Sequence, residues 1–150
     1  MHGADPSAGS WDALGVLVRH PFKVAETLPG ILEQRRGLHK EIPEWFHEDP
    51  VLNALRYWVE TFEAAQAWVV KAFTEDRALF SPVVRVDSHY EDDMKNLCFY
   101  LGVPFKTPNR PPKSRKKRWS TPTWRQWFLE DPDYAQRGGE LVRDFELDEP

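Results

Sequence analysis

The stretch Leu14-Gly15-Val16-Leu17-Val18-Arg19-His20-Pro21-Phe22-Lys23-Val24-Ala25-Glu26-Thr27 decides how the chain is read. Its first five residues form a short continuous apolar run, the pattern of a strand buried on both faces. Arg19 and His20 end that run. Pro21 suits the first position of a helix, where no N–H donor is needed. Phe22, Val24, Ala25 and Leu28 give the helix its apolar positions. Pro29-Gly30 is expected to kink or break it, because Pro29 cannot donate to the carbonyl of Ala25. Ile31 to Arg36 then continues as a second short helix, and Gly37 to Trp45 reads as a connection.

Working outward, the next segment has the clearest helical signature. Asp49 is a good N-cap and Pro50 a good first residue. Leu55, Val59, Phe62, Val69 and Phe73 fall on one stripe beside Trp58 and Ala65, and the helix is predicted to end near Lys71–Thr74. Ser81-Pro82 opens a second apolar run, Val83 to Val86, whose β-branched residues favour a strand. Ser88 with Glu91 three residues later is a capping-box pattern. Met94, Leu97, Cys98 and Leu101 follow at helical spacing, and Gly102 supplies the stop. Strands alternating with helices point to a parallel sheet with helical cover, so the fold class is α/β, helix-rich, with a short sheet.

The chain has 150 residues, which predicts a single domain of residues 1–150 with a core of its own. Hydrophobic residues are 41% and charged residues 29%, which excludes wholesale disorder. The net charge of -4 argues against a uniformly basic nucleic-acid binder. Cys98 is the one cysteine, so no intrachain disulfide can form, which suits a reducing compartment. Residues 1–12 read as a loose leader without the basic-then-apolar pattern of a secretory signal. The expectation is a cytoplasmic protein that needs no membrane.

The last third differs in composition. Residues 104–122 contain five prolines and seven cations, among them Lys113, Arg115, Lys116, Lys117 and Arg118, and no acid. Residues 104–128 read as a basic Pro/Trp-rich loop region and 129–150 as an acidic tail. The asymmetry implies that the basic segment faces an anionic ligand or neutralises an acidic surface of its own chain.

The opening stretch also suggests chemistry. A strand that delivers Arg19 at its C-terminal end, followed at once by a helix start, offers a planar cationic fork and unpaired N–H groups. Thr27 adds a hydroxyl further along. Together they fit a phosphate. In the alternative reading, Arg19 pairs with a carboxylate and Thr27 is an ordinary helix residue.

Arg-x-Pro with a hydroxyl residue eight positions after the Arg resembles the 3′-phosphate motif of the sulfotransferases that use 3′-phosphoadenosine 5′-phosphosulfate (PAPS). Here it runs from Val18 through Arg19, His20 and Pro21 to Thr27. The resemblance continues through Trp58 on a helix and Val83 to Val86 on a strand. It then follows Tyr90-Glu91-Asp92 into Phe99-Tyr100-Leu101-Gly102-Val103-Pro104. Lys116-Lys117-Arg118 before Trp124-Arg125 looks like the family's basic loop, and the likeness covers roughly residues 14–128.

Thr27 stands where Ser is commoner, and Trp119 follows Arg118 where the family has Gly. The family's phosphosulfate loop and catalytic base lie upstream of the Arg and are not found. Pro6 to Trp11 resembles that loop only faintly, lacking a preceding strand and a Lys. The chain therefore looks like the C-terminal half of such an enzyme, incomplete as a single chain. The resemblance implies sulfuryl transfer from PAPS as co-substrate to an unknown hydroxyl acceptor, without a metal. It places Arg19, Thr27, Lys117 and Arg118 on the nucleotide and names no catalytic residue.

His20 is expected to serve the helix opening rather than catalysis. His89 and Asp93 stand at i, i+4, but two ligands fall short of a metal site. Cys98 reads as an inert core thiol, Trp58 and Trp68 as packing residues, and Glu91-Asp92-Asp93 as first-turn acids. Two other function classes remain. The basic segment 113–127 with Trp119, Trp124 and Trp127 could track a nucleic acid, with cations on phosphates and rings on bases. Alternatively, the Trp-rich tail docks on a partner as a non-catalytic interaction module.

Overall fold

The computed structural model describes residues 15–36, 42–76, 82–87, 89–106 and 119–150. Strand β1 (Val16–Val18) is followed by helix α1 (Pro21–Val24), α2 (Leu28–Arg36) and the long α3 (Pro50–Thr74). Strand β2 (Val83–Arg85), α4 (Tyr90–Leu101), α5 (Trp124–Glu130) and α6 (Pro132–Asp144) complete the order. The protein is helix-rich, with a two-stranded parallel sheet in which Val16, Leu17 and Val18 lie opposite Val83, Val84 and Arg85. No helix among the described residues is long and apolar enough to cross a membrane.

The chain forms two compact units. Unit 1 holds Met1–Arg19 and Phe62–Pro112, and unit 2 holds His20–Thr61 and Lys113–Pro150. Helix α3 belongs to both, changing membership between Thr61 and Phe62.

Unit 1 contains the sheet. Val18 and Val84 are its buried strand residues. Helix α4 packs on β2, and its buried residue is Asp93 rather than any member of the Met94–Leu101 stripe. Leu97 and Cys98 are half-buried, while Leu101 is exposed. The helix ends where expected: Gly102 adopts φ 69°, a left-handed conformation costly for residues with a Cβ. The N–H of Val103 then donates to the carbonyl of Cys98 at 3.0 Å. Ser88 lies outside the described residues, and His89 occupies the N-cap position without a capping side-chain bond.

Unit 2 is helical. Asp49 caps α3 as expected, its Oδ1 accepting from the N–H groups of Val51 at 2.9 Å and Leu52 at 3.0 Å. Leu52, Ala54, Leu55, Trp58 and Val59 are buried on this half of α3, each large apolar side chain contributing about 1.5–3 kcal/mol. The expected break near Pro29 comes earlier: α1 stops at Val24, a turn holds Ala25 to Thr27, and Pro29 lies in the first turn of α2. A continuing helix would drive the Pro29 ring into the carbonyl of Ala25, so the chain restarts instead. Thr27 consequently sits in a turn, not along the helix.

Residues 124–150, read from sequence as loop and acidic tail, are largely α5 and α6. Thr123 caps α5 by accepting the N–H of Gln126 at 3.2 Å. Pro132 opens α6, and Ala135, Gly138, Leu141 and Val142 form its buried face. Gly138 is required by packing: a Cβ there would overlap the Trp127 ring.

Candidate functional site

The candidate site begins at the carboxyl end of β1. The strand delivers Arg19 beside the end of β2, where Asp87 meets it. Arg19 Nε lies 3.2 Å from both Asp87 carboxylate oxygens, and Nη2 donates to Oδ1 at 3.0 Å. The side chains are 43% and 42% exposed, so water screens the pair. The carboxylate pairing weighed for Arg19 is therefore present. The bond orients the guanidinium at the carboxyl end of β1.

Arg85, two residues before Asp87, is held differently. Asp93 accepts its backbone N–H, its Nε and its Nη2, each at 2.8 Å. Those Arg85 bonds hold the Asp93 carboxyl below the usual aspartate range, against a burial effect that opposes them. Asp93 is committed to this lock, so the His89–Asp93 spacing serves the fold. No group of three potential metal-ligating side chains occurs among the described residues.

In unit 2, His20 is only 3% exposed and caps α1. Its Nδ1 accepts the N–H of Phe22 at 3.1 Å, which assigns the ring proton to Nε2. Nε2 lies 3.5 Å from the Glu149 carboxylate, which also accepts from Trp124 Nε1 at 3.0 Å. The helix-opening role expected of His20 is what the geometry supports.

The same cap corrects the anion-site expectation. Pro21 has no N–H, and the Phe22 donor goes to His20. The N–H groups of Lys23 and Val24 donate to the carbonyl of His20, and that of Ala25 to Pro21. The start of α1 thus has no spare backbone donor to offer a phosphate, and an anion here must be held by side chains.

Around His20 the rings stack into a cluster. Phe22 lies 4.6 Å from Trp124, and Trp124 stacks on Trp127 at 5.5 Å with 20° between planes. Trp127 is completely buried, and its Nε1 has no hydrogen-bond partner among the described residues. It cannot stack on a base, and the backbone N–H of Trp119 donates to the carbonyl of Glu26 at 3.2 Å. Of the three rings named in the nucleic-acid reading, Trp127 is thus enclosed, while Trp119 and Trp124 are half-buried. An open groove of about 680 Å³ beside Trp124 and Phe128 is rimmed by Glu146, Asp148 and Glu149 against Arg143, a charge balance unfavourable to a polyanion.

A second network ties α3 to α6. Arg56 gives Asp131 two bonds, at 2.7 and 2.9 Å, and reaches the carbonyl of Trp45 at 2.9 Å. The Asp131 bond raises the Arg56 pKa. Tyr134 donates to Glu60 at 2.7 Å between the guanidinium groups of Arg56 and Arg137. Burial pushes the Tyr134 phenol up, and the bond to Glu60 adds to that. Sequence reading missed both pairings; Asp131-Pro132, which repeats Asp49-Pro50, was the available signal for α6.

Of the four expected nucleotide residues, Arg19 closes the sheet-bearing segment of unit 1 and Thr27 belongs to unit 2. Lys117 and Arg118 lie outside the described residues, as does Pro6 to Trp11. Comparison with protein-family models, with curated proteins and with solved structures gives no match.

Proposed function

We propose that the chain is a sulfotransferase-like protein that binds the 3′-phosphate side of PAPS through Arg19. The observation that carries the reading is the Arg19 guanidinium at the carboxyl end of β1, alongside the parallel β2. Ligands of open α/β sheets bind outside the carboxyl ends of their strands. The order of strand, Arg19, Pro21-opened helix, long Trp-bearing helix, parallel strand and Gly102-terminated helix supports the same reading. Arg19 presents a planar fork suited to two phosphate oxygens, with Asp87 as the carboxylate it exchanges or shares. The sequence resemblance assigns Thr27, Lys117 and Arg118 to the same phosphate.

In the reaction this implies, an acceptor hydroxyl oxygen bonds to sulfur as the sulfur–oxygen bond to the phosphate breaks. The acceptor proton passes to a base, and 3′-phosphoadenosine 5′-phosphate leaves. This chain contributes nucleotide binding; no residue is assigned as the base. Calorimetric titration with 3′-phosphoadenosine 5′-phosphate tests the reading. One saturable site is expected, weakened at least about tenfold in Arg19→Ala. A folded wild-type chain that takes up no nucleotide overturns it.

A second reading, a non-catalytic interaction module, is favoured by the apolar end of α4. Phe99 is 83% exposed, and Tyr100, Leu101 and Val103 are exposed beside it. In the Trp-rich segment first considered for that role, Trp127 is buried while Trp119 and Trp124 are half-buried.

A further inference from the structure

We infer that Asp87 is the resident anion of the Arg19 site: its carboxylate holds the guanidinium edge that a phosphate needs and yields it only to an anion of higher charge. Among the described residues of unit 1, Arg85 pairs with Asp93 and Arg19 with Asp87. The construction of these pairs separates a permanent one from an exchangeable one.

Asp93 takes bonds from the Arg85 side chain and from its backbone N–H, all at 2.8 Å, and is buried. Breaking that pair strands a buried charge, which is costly. Asp87 takes only side-chain bonds from Arg19, at 3.0 and 3.2 Å. Both partners stand in water, so the pair is worth little and each charge is solvated once they part. Among the described residues no cation other than Arg19 pairs with the Asp87 carboxylate.

Asp87 bonds Nε and Nη2, a two-donor edge of the guanidinium that phosphate oxygens also fit. A monoanion that takes this edge replaces one single charge by another. It also competes with a carboxylate tethered beside the fork by the end of β2, at high effective concentration. A phosphate monoester carries a charge of about -1.5 to -2 at neutral pH, so Arg19 gains attraction by the exchange. Sharing is disfavoured, because phosphate and Asp87 then meet as like charges within about 4–6 Å. Asp87 therefore exchanges, and it sets the charge that the ligand must bring. It acts on specificity and touches no reacting atom. The exchange rests on the nucleotide reading of Arg19 given above.

Calorimetric titration of the full chain with 3′-phosphoadenosine 5′-phosphate tests the exchange in wild type, Asp87→Asn, Arg19→Ala and the double variant. Asp87→Asn keeps the side-chain shape and removes the charge. It is expected to tighten nucleotide binding about three- to tenfold, with an affinity that falls more steeply as chloride is raised. Added to Arg19→Ala, the same change is expected to bring no gain, because the competition acts through that guanidinium. The pair is exposed, so each variant is expected to retain the wild-type circular dichroism. Asp87→Ala repeats the measurement with the hydrogen bond removed as well. The exchange is overturned if folded Asp87→Asn binds as wild type does, or more weakly, the latter marking Asp87 as an orienting partner that shares the site. It is also overturned if the double variant gains over Arg19→Ala as much as Asp87→Asn gains over wild type, which marks a general effect of charge. In both of those outcomes the wild type still binds, and the nucleotide reading stands. Uptake by neither wild type nor Asp87→Asn overturns the nucleotide reading itself, and the exchange with it.

Discussion

Among the described residues, unit 2 buries many large aromatic and aliphatic side chains behind paired charges, whereas unit 1 buries few. Phe22, Leu55, Trp58, Trp127, Leu141 and Phe145 are all buried in unit 2. Among the described residues of unit 1 the buried apolar side chains are Val18, Val84 and Ala72, while Leu17, Val70, Phe99 and Tyr100 are exposed. Both units use an Arg–Asp lock, Arg56–Asp131 in one and Arg85–Asp93 in the other, with the carboxylate buried in each case. The difference lies in what surrounds the lock. In unit 2 it joins α3 to the start of α6; in unit 1 it joins β2 to α4. A lock supplies geometry, but a core needs apolar area removed from water.

The strongest way to break this comparison is Arg56→Ala. It leaves Asp131 buried without its cation, and loss of about 3–5 kcal/mol of unfolding free energy is expected by chemical denaturation. A loss under about 1 kcal/mol would falsify the view that unit 2 is held by this pair. Gly138→Ala comes next. The new methyl meets the Trp127 ring, which is enclosed on all sides, and a cost of about 1–3 kcal/mol is expected. Near-unfolded Trp fluorescence at low denaturant would accompany it; an unchanged midpoint would mean that the ring can move and the core is looser than described.

The smallest effect sharpens the contrast from the other side. The Asp93 carboxyl is depressed in the fold, chiefly by its Arg85 bonds. Its contribution is therefore complete above the unfolded aspartate value near pH 4 and is lost as pH falls through the lower folded value. In Asp93→Asn the acid limb of the stability profile should flatten. At neutral pH the variant should lose about 1–2 kcal/mol and expose the Arg85 amide to exchange. An acid limb identical to wild type would show that Asp93 does not carry this pH dependence.

Much of the organisation was legible in local signals. Asp49-Pro50 predicted where α3 begins, Gly102 where α4 ends, and the two valine-rich runs where the strands lie. Those signals act within a turn or two of helix or along three strand residues, so they survive without knowledge of distant neighbours. The failures have a common physical cause. The net acidic composition of 129–150 hid the stripe of Ala135, Leu141, Val142 and Phe145, and the Gly138-Gly139 pair argued against a helix. Only the approach of Trp127 explains why glycine belongs there. The phosphate site shows the same limit. The sequence suggested free N–H groups at the start of α1, and the structure assigns each of them, the first to His20 itself.

The sequence by itself determined the alternation of strands and helices, the parallel sheet, and the placement of Arg19 at a strand end followed by a proline-opened helix. These follow from hydrophobic period, capping chemistry and the missing proline donor, all local to the chain. Only the tertiary structure decided that Arg19 pairs with Asp87, that Asp93 spends its charge on Arg85 rather than on His89, and that Trp127 is enclosed instead of presented. Partners separated by many residues meet only after folding, and a charge or ring carries no mark in the sequence of what it will face.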